Sequence, residues 1–522
     1  MNEITGTGSM KMETLTTDSR VRCEQRPPTH SSFVVHAPSF GRRFVLAAWL
    51  SAAVMMTGCV LPAAQAPGDG DPRTMQFAPV TFTPPEPERL VLDNGLVIYL
   101  LEDHALPLVT ITATIRTGAW MDPSDKIGLA GIAGATMRTG GTKTLSAAAL
   151  DEELEHMAAT ISTGIGTESG SAMLDVLVKD LPRGVRLFAD VLQAPAFDPA
   201  RVELAKLQTI EGIRRRQDQP QSIAGREFAK LLYGSDHPYA RESTVASVSK
   251  ITRDDLIAFH AKTIHPNGLI LGVTGDFDKT AMLVLLREMF GKWKPGSVSN
   301  IAFPSPSVDP ARADQTVVRF VGKRTSQTHL RVGHLSIKED DPDYPALVVL
   351  NDILGGSSFR SRLFNDIRTK RGLAYSVGSS LRIGMRERGV WAMRAETKVE
   401  STQEAIGRFA ANVERLRTEP VTDEELAEAK DAFVNSFVFS YSSASAIVGR
   451  LIALEYDGLP KDFLQQLRDK VVQATKDDLL AAGRRHLHPE RLRILAVGPA
   501  ESLARVLSSF GEAKEISLSP ES

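Results

Sequence analysis

Eleven histidines are spread over 522 residues, and none falls in a His-x-x-Glu-His or His-Glu-x-x-His frame. Those two spacings place a pair of imidazoles and a base on one helical face, where they hold zinc and activate water. Other arrangements are weaker. Glu152 and His156 stand four apart and can share a helix face, although a solvated or half-buried helix pair explains them better. His486-Leu-His488 offers at most an adventitious metal pair, and His237, His265 and His488 each precede proline, where a turn or the start of a strand is favoured over metal ligation. Gly140-Gly-Thr-Lys-Thr144 faintly resembles a phosphate loop, but Thr142 separates Gly141 from Lys143 and the upstream glycine is misplaced. Arg214-Arg215-Arg216 reads as a solvated helix face, and no Gly-x-Ser-x-Gly elbow occurs. Both cysteines, Cys23 and Cys59, lie in the first 60 residues, so the rest of the chain has no thiolate zinc site, disulfide framework or cysteine nucleophile. Lys plus Arg number 61 and Asp plus Glu 63, a net charge of -2, which argues against a dedicated nucleic-acid binder.

The elements that must carry such chemistry begin after an unusual N-terminus. Arg42-Arg43 precede the apolar run Phe44 to Thr57 and then Gly58-Cys59. Fourteen residues are too short for a bilayer span but suit a signal-peptide core. Met56-Thr-Gly-Cys59 is similar to a bacterial lipobox, in which the cysteine is acylated; a plain secretory signal and a buried helix are the alternatives. Residues 1–58 are therefore expected to form a signal peptide with lipobox, Cys59 to be the lipidation site, and residues 59–87 to be a flexible tether. That arrangement places the body on the periplasmic side of a bacterial envelope, lipid-anchored, the outer membrane being favoured over the inner.

The body repeats. Thr252-Arg-Asp-Asp-Leu256 leads to His265-Pro266 and an apolar strand at 269–274, and Thr475-Lys-Asp-Asp-Leu479 leads to His488-Pro489 and a strand at 492–497. The offset, 475 minus 252 or 489 minus 266, is 223 in each case. Gly140-Gly-Thr142 and Gly355-Gly-Ser357 correspond at the shorter offset of 215. Strands are expected at 96–101 and 109–115, after the turn Asp93-Asn-Gly95. Helices are expected at 145–159 and 423–437, the latter capped by Thr422 or Asp423. The result is an α+β fold made twice: residues 88–293, a Pro/Ser/Gly-rich linker at 294–314, and residues 315–522.

Over roughly residues 88–515 the chain resembles peptidase family M16, the insulinase, pitrilysin and mitochondrial processing peptidase group. The resemblance rests on Leu92-Asp-Asn-Gly-Leu96, Gly128-Leu-Ala130, Gly140-Gly-Thr142, Pro195-Ala-Phe197, Asp236-His-Pro-Tyr239 and Arg371-Gly-Leu-Ala-Tyr-Ser-Val377. It implies two homologous domains forming a half-shell. In active members Gly-Leu-Ala is followed by His-x-x-Glu-His, with a third ligand, Glu, after 76 intervening residues. Here those places hold Gly131, Gly134, Ala135 and Gly212, so both imidazoles, the base and the third ligand are gone while the spacing is kept.

The resemblance also implies a retained pair. Active members use an Arg and a Tyr seven residues apart, matched here by Arg368 and Tyr375, to hydrogen-bond a substrate carbonyl and the developing oxyanion. Without the family frame, a surface arginine ending a helix and a tyrosine packed at a strand start would be the better explanation of the two. The strip Gly355-Gly-Ser-Ser-Phe359 resembles the family's glycine-rich loop, where flexible backbone can admit an extended peptide, or serves as a plain turn before a helix. Some members split the labour: one chain carries the zinc motif and a second, lacking it, contributes the Arg/Tyr pair. The expectation is therefore a non-catalytic, substrate-binding subunit of a heterodimeric zinc endopeptidase. It would bind no cofactor itself, would take peptide and a zinc-bearing M16 chain as partners, and would not bind nucleic acid. A scaffold protein of an envelope complex, or a stand-alone metallopeptidase with unrecognised ligands, are the competing readings.

Overall fold

The computed structural model describes residues 85–297, 303–306, 315–357 and 359–518. The expected signal peptide and Cys59 lie outside them, as do most of the expected tether and parts of the expected linker. No helix among the described residues is long and apolar enough to cross a membrane.

Among the described residues twelve strands form two six-stranded sheets. The first contains β1 (Glu88–Val91), β2 (Val97–Glu102), β3 (Leu108–Ile115), β4 (Thr160–Ile165), β5 (Gly170–Leu177) and β6 (Leu269–Gly275), in the order β1-β2-β6-β3-β5-β4. The second contains β7 (Val317–Gly322), β8 (Thr328–Leu335), β9 (Ala374–Arg382), β10 (Val390–Thr397), β11 (Arg493–Gly498) and β12 (Ala513–Glu515), in the order β12-β7-β11-β8-β10-β9. Five strands of one sheet map onto five of the other in order and direction. Only the sixth differs. β1 pairs antiparallel with β2 through the turn at Gly95, whose φ of 84° needs glycine, whereas β12 arrives from the C-terminal end and pairs parallel with β7.

Six helices frame the regions of interest: α1 (Leu129–Thr139), α2 (Pro199–Arg215), α3 (Pro220–Tyr233), α4 (Arg253–Thr263), α5 (Ala444–Asp457) and α6 (Lys476–His486). The repeated Thr-x-Asp-Asp sequence opens α4 and α6 in the same way. Asp255 N donates to Thr252 Oγ1 (3.3 Å) and Thr252 N to Asp255 Oδ2 (2.9 Å), while Asp478 and Thr475 repeat the exchange at 3.2 and 2.9 Å. These reciprocal caps satisfy orphan amides locally, so the sequence alone dictates where the helices begin. The helix at 423–439 likewise starts from Thr422, which accepts from Glu425 N at 3.1 Å. The helix expected at 145–159 is shorter, Ala147–His156 behind a Ser146 cap, because Ala158 turns to φ 49° ahead of β4.

Each half lends a helix to the other. α5, from the second half, lies across β2 and β6 of the first sheet, burying Ile447, Val448 and Ile452 against Tyr99 and Ile270. α3, from the first half, lies across β8 and β11, burying Phe228, Leu232 and Tyr233 against Leu495. This exchange explains why β6 and β11 are buried on both faces and read as unbroken apolar runs. Gly272 permits the close seat of α5, since a Cβ there would fall 2.5 Å from Val448 Cγ1. Arg89 clamps Glu455 through two hydrogen bonds of 2.8 and 2.6 Å, Tyr99 donates to the same carboxylate, and Arg116 Nη1 donates to Tyr456 O at 2.8 Å.

Candidate functional site

α1 carries the first three positions where a zinc site is missing. Gly131 and Ala135 stand one turn apart and exposed, and Gly212 is exposed on α2, which packs against α1. None of these side chains has a donor atom, so the group that the family resemblance implies does not fit here. Gly134 differs from its neighbours. A Cβ at this position would lie 2.4 Å from Ile165 N and 2.8 Å from Gly164 C, and Thr163 Oγ1 donates to Gly134 O at 2.7 Å. The helix rests directly on β4 with no side chain between. At Gly131 and Gly212 a Cβ would meet nothing within 4 Å. The place of the lost base has been filled by closer backbone packing; Gly131 and Gly212 remain open.

Arg368 and Tyr375 are brought together. Arg368 lies in the π-helical segment Phe364–Lys370, and the chain then reverses through Gly372 at φ 62°, with Gly372 N donating to Arg368 O at 3.0 Å and Leu373 N to Ile367 O at 2.9 Å. β9 begins at once. The register between β9 and β10 shifts where Thr397 faces Ala374 but Glu396 faces Ser376, which leaves Tyr375 as the extra residue of a bulge. A bulge re-aims its side chain, and Tyr375 is 79% exposed, its ring 4.4 Å from the Arg368 guanidinium carbon. Phe364, one turn before Arg368, covers the other side at 4.7 Å, and Phe359, 72% exposed, meets Phe364 edge-on at 5.0 Å.

A guanidinium held between two rings loses rotamer freedom yet keeps its N–H groups for a ligand. Among the described residues Arg368 has no carboxylate partner; its contacts are the two rings. Asp366 anchors the segment from below, accepting from Arg408 Nε (2.7 Å), Asn412 Nδ2 (2.8 Å) and Arg371 Nε (3.0 Å). Burial pushes the Asp366 carboxyl up, but those hydrogen bonds outweigh it and hold the group below the ordinary carboxylate range.

The glycine-rich strip has a different physical basis from the flexibility expected of it. Gly355 is pressed against β9, where a Cβ would lie 2.4 Å from Ser379 N, and one at Gly356 would lie 2.8 Å from Asn351 Nδ2. Both glycines serve close packing that fixes β9, while Phe359 is the exposed end of the strip; Ser358 lies outside the described residues.

The other candidates from the sequence resolve into structural roles. Glu152 and His156 are exposed, and Glu211 pairs with Arg214 at 2.6 Å. His237 is buried, stacked on Tyr233 at 5.0 Å, with its Nε2 2.9 Å from Pro304 O. His265 and His488 each precede a short 3-10 turn. Thr142 accepts from Leu145 N at 3.1 Å and makes Gly140–Thr144 a pinned turn, not an anion cradle. Among the described residues one group could offer three metal ligands, Asp341, Asp343 and His486. Arg485 already holds both oxygens of Asp343 at 2.6 and 2.7 Å, and His486 Nε2 is 2.7 Å from the same carboxylate, so the group is satisfied as an ion-pair cluster.

Phe364 is not singled out by the sequence, and Phe359 only as the end of the glycine-rich strip. The only local signal was the spacing of four between Phe364 and Arg368, which counts only once the segment is known to be helical.

Comparisons with known proteins bear on the family and the fold. A family model described as "Insulinase (Peptidase family M16)" matches residues 97–236, and one described as "Peptidase M16 inactive domain" matches residues 250–433. The chain is 26% identical over 425 residues to an uncharacterised zinc protease of Mycobacterium tuberculosis, covering 79% of this chain and 93% of the relative. It is 25% identical over 374 residues to the non-peptidase homolog YmxG of Helicobacter pylori, covering 71% of this chain and 84% of that one. Among solved structures, a peptidase M16 inactive domain from Pseudomonas fluorescens superimposes with a TM-score of 0.70 at 26% identity, covering 79% of this chain and 98% of that one.

Proposed function

The chain belongs to peptidase family M16, and from that premise we propose that it is the non-catalytic, substrate-holding subunit of a two-chain zinc endopeptidase in the bacterial envelope. One contrast carries the reading. The four zinc-site positions carry no donor and Gly134 is sealed against β4, whereas Arg368 and Tyr375 are held side by side, exposed and without a carboxylate partner.

The metal and its water belong to a partner chain with an intact His-x-x-Glu-His. This chain's contribution is binding and charge stabilisation. β9 is an edge strand, so an extended peptide can add to its free side through backbone hydrogen bonds. Arg368 then donates N–H groups to a peptide carbonyl, and the Tyr375 hydroxyl donates to the oxygen that gains charge as the scissile carbonyl is attacked. The sandwich of Phe364, Arg368 and Tyr375 fixes both donors before substrate arrives, which lowers the ordering cost of binding. Acylation at Cys59 would tether the assembly to the membrane; residues 59–87 supply the reach.

The test is reconstitution of the full-length chain with an M16 subunit carrying the zinc motif. Removal of one oxyanion donor typically costs ~10²–10³ in rate. Arg368→Ala and Tyr375→Phe are therefore each expected to lower kcat by at least about tenfold. Unchanged cleavage by both variants, with the complex intact by gel filtration, would overturn the assignment.

A further inference from the structure

The face of the second sheet that α3 partly covers carries cations that the Arg368/Tyr375 site does not use. Along β10, Trp391, Met393, Ala395 and Thr397 point into the core, which leaves Arg394 and Glu396 on the opposite face. On β8, Leu330 and Val332 are core residues and Arg331 faces the other way. The register sets Arg394 directly opposite Arg331. Like charges opposed across an antiparallel pair destabilise a sheet, and here neither charge has a carboxylate partner to offset it. Among the described residues neither arginine makes an ion pair or hydrogen bond. Glu396, one step along the strands, is the nearby acid, and it lies 3.7 Å from His329 Nδ1. Burial, then the field of Arg394, pulls Arg331 below its ordinary value, while Glu396 opposes this only in part.

These cations are continuous with the candidate site. Ser376, next to Tyr375 at the start of β9, lines the same crevice as Arg331 and Arg394, with Gln221 of α3 on its far wall. Arg368 lies against Tyr375, the neighbour of Ser376, so it stands at one end of a run that continues to Arg394 and Arg331, with Glu396 the carboxylate that lines the crevice. The chain as a whole is slightly acidic, with a net charge of -2, so this local excess is not a trend of composition.

We propose that the strip formed by Arg368, Ser376, Arg394 and Arg331 selects acidic peptides, extended segments whose Asp or Glu side chains lie over β9 and β10 while their backbone follows the β9 edge. The proposal rests on the reading of this chain as the peptide-holding subunit and adds the substrate class. A carboxylate over β9 meets the exposed Arg394 first, with the half-buried Arg331 behind it adding its field, so the pair attracts it more strongly than a lone surface arginine would.

The experiment uses the full chain and three fluorescein-labelled decapeptides of one apolar framework, carrying three Glu, three Gln or three Lys, titrated by fluorescence anisotropy in 50 mM and 300 mM salt. The Glu peptide is expected to bind about tenfold tighter than the Gln peptide at low salt and the Lys peptide more weakly than both, with the Glu advantage shrinking at high salt. In Arg331→Gln/Arg394→Gln, and separately in the exposed Arg394→Gln alone, that advantage is expected to fall; thermal unfolding confirms that each variant is folded. Equal affinity for the Glu and Gln peptides overturns the proposal and leaves the subunit reading standing. A Glu preference that survives in folded Arg331→Gln/Arg394→Gln also overturns it, by placing the selectivity elsewhere. Absence of binding by all three peptides overturns it too, and the reconstituted cleavage assay then decides the subunit reading separately.

Discussion

Two glycines three residues apart on α1 are expected to respond in opposite directions to the same substitution. Alanine is favoured over glycine in a helix interior by ~1 kcal/mol. At Gly131 the new methyl meets nothing within 4 Å, so Gly131→Ala should keep that gain and raise Tm by about 1 °C in a body of this size. At Gly134 the methyl would sit 2.4 Å from Ile165 N, where ordinary contact begins near 3.4 Å, a shortfall of 1.0 Å against backbone that no rotamer change relieves. α1 must lift from β4, loosening the 2.7 Å bond from Thr163 Oγ1 to Gly134 O. Overpacking of this kind costs ~3 kcal/mol at its upper range, so after the helix gain Gly134→Ala should lose about 2 kcal/mol. The two variants are thus separated by roughly 3 kcal/mol, readable from thermal and denaturant unfolding of purified protein. If Gly134→Ala is as stable as the wild type, the close approach of α1 to β4 is not a constraint, and the base position is not sealed.

Three other outcomes rest on the same geometry. Gly131→His/Ala135→His/Gly212→Glu rebuilds the ligands in exposed positions and is expected to take up about one zinc per chain by metal analysis. Adding Gly134→Glu should unfold the protein at lower temperature and give no peptide cleavage; cleavage by that fourfold variant would refute the sealing of α1 against β4. Phe364→Leu removes one side of the Arg368 sandwich, a contact of about 0.5–1 kcal/mol at a half-exposed site. It should lower reconstituted kcat by about two- to fivefold, less than Arg368→Ala, and an equal or larger loss would mean that Phe364 has another role. Glu339 is pushed up to about 7 by burial and by the charge of Asp457, so the folded state holds its proton more tightly than the unfolded chain does. Stability should therefore fall as pH rises from about 4.5 through 7, by about 1.5 kcal/mol once solvent screening is allowed for. Glu339→Gln should flatten that decline between pH 5 and 8 in a Tm-against-pH series, and an unchanged slope would locate it elsewhere.

Local chemistry was legible in the chain. Thr252 with Asp255, and Thr475 with Asp478, cap their helices through contacts three residues apart, so the repeat could be read and the helix starts placed from the sequence. The loss of ligands at Gly131, Gly134, Ala135 and Gly212 is likewise a matter of residue identity and spacing. The tertiary structure decided what depends on contacts between distant segments. Gly134 and Gly131 are the same residue type on one helix, and only the position of β4 makes one indispensable and the other replaceable. The strip at Gly355 could be read as flexible, but its packing on Ser379 makes it a rigid support for β9. Arg331 and Arg394 are 63 residues apart in sequence and become neighbours through the pairing of β8 with β10. A side chain's chemistry belongs to its residue type, but its distance to a partner is set by how strands and helices pack.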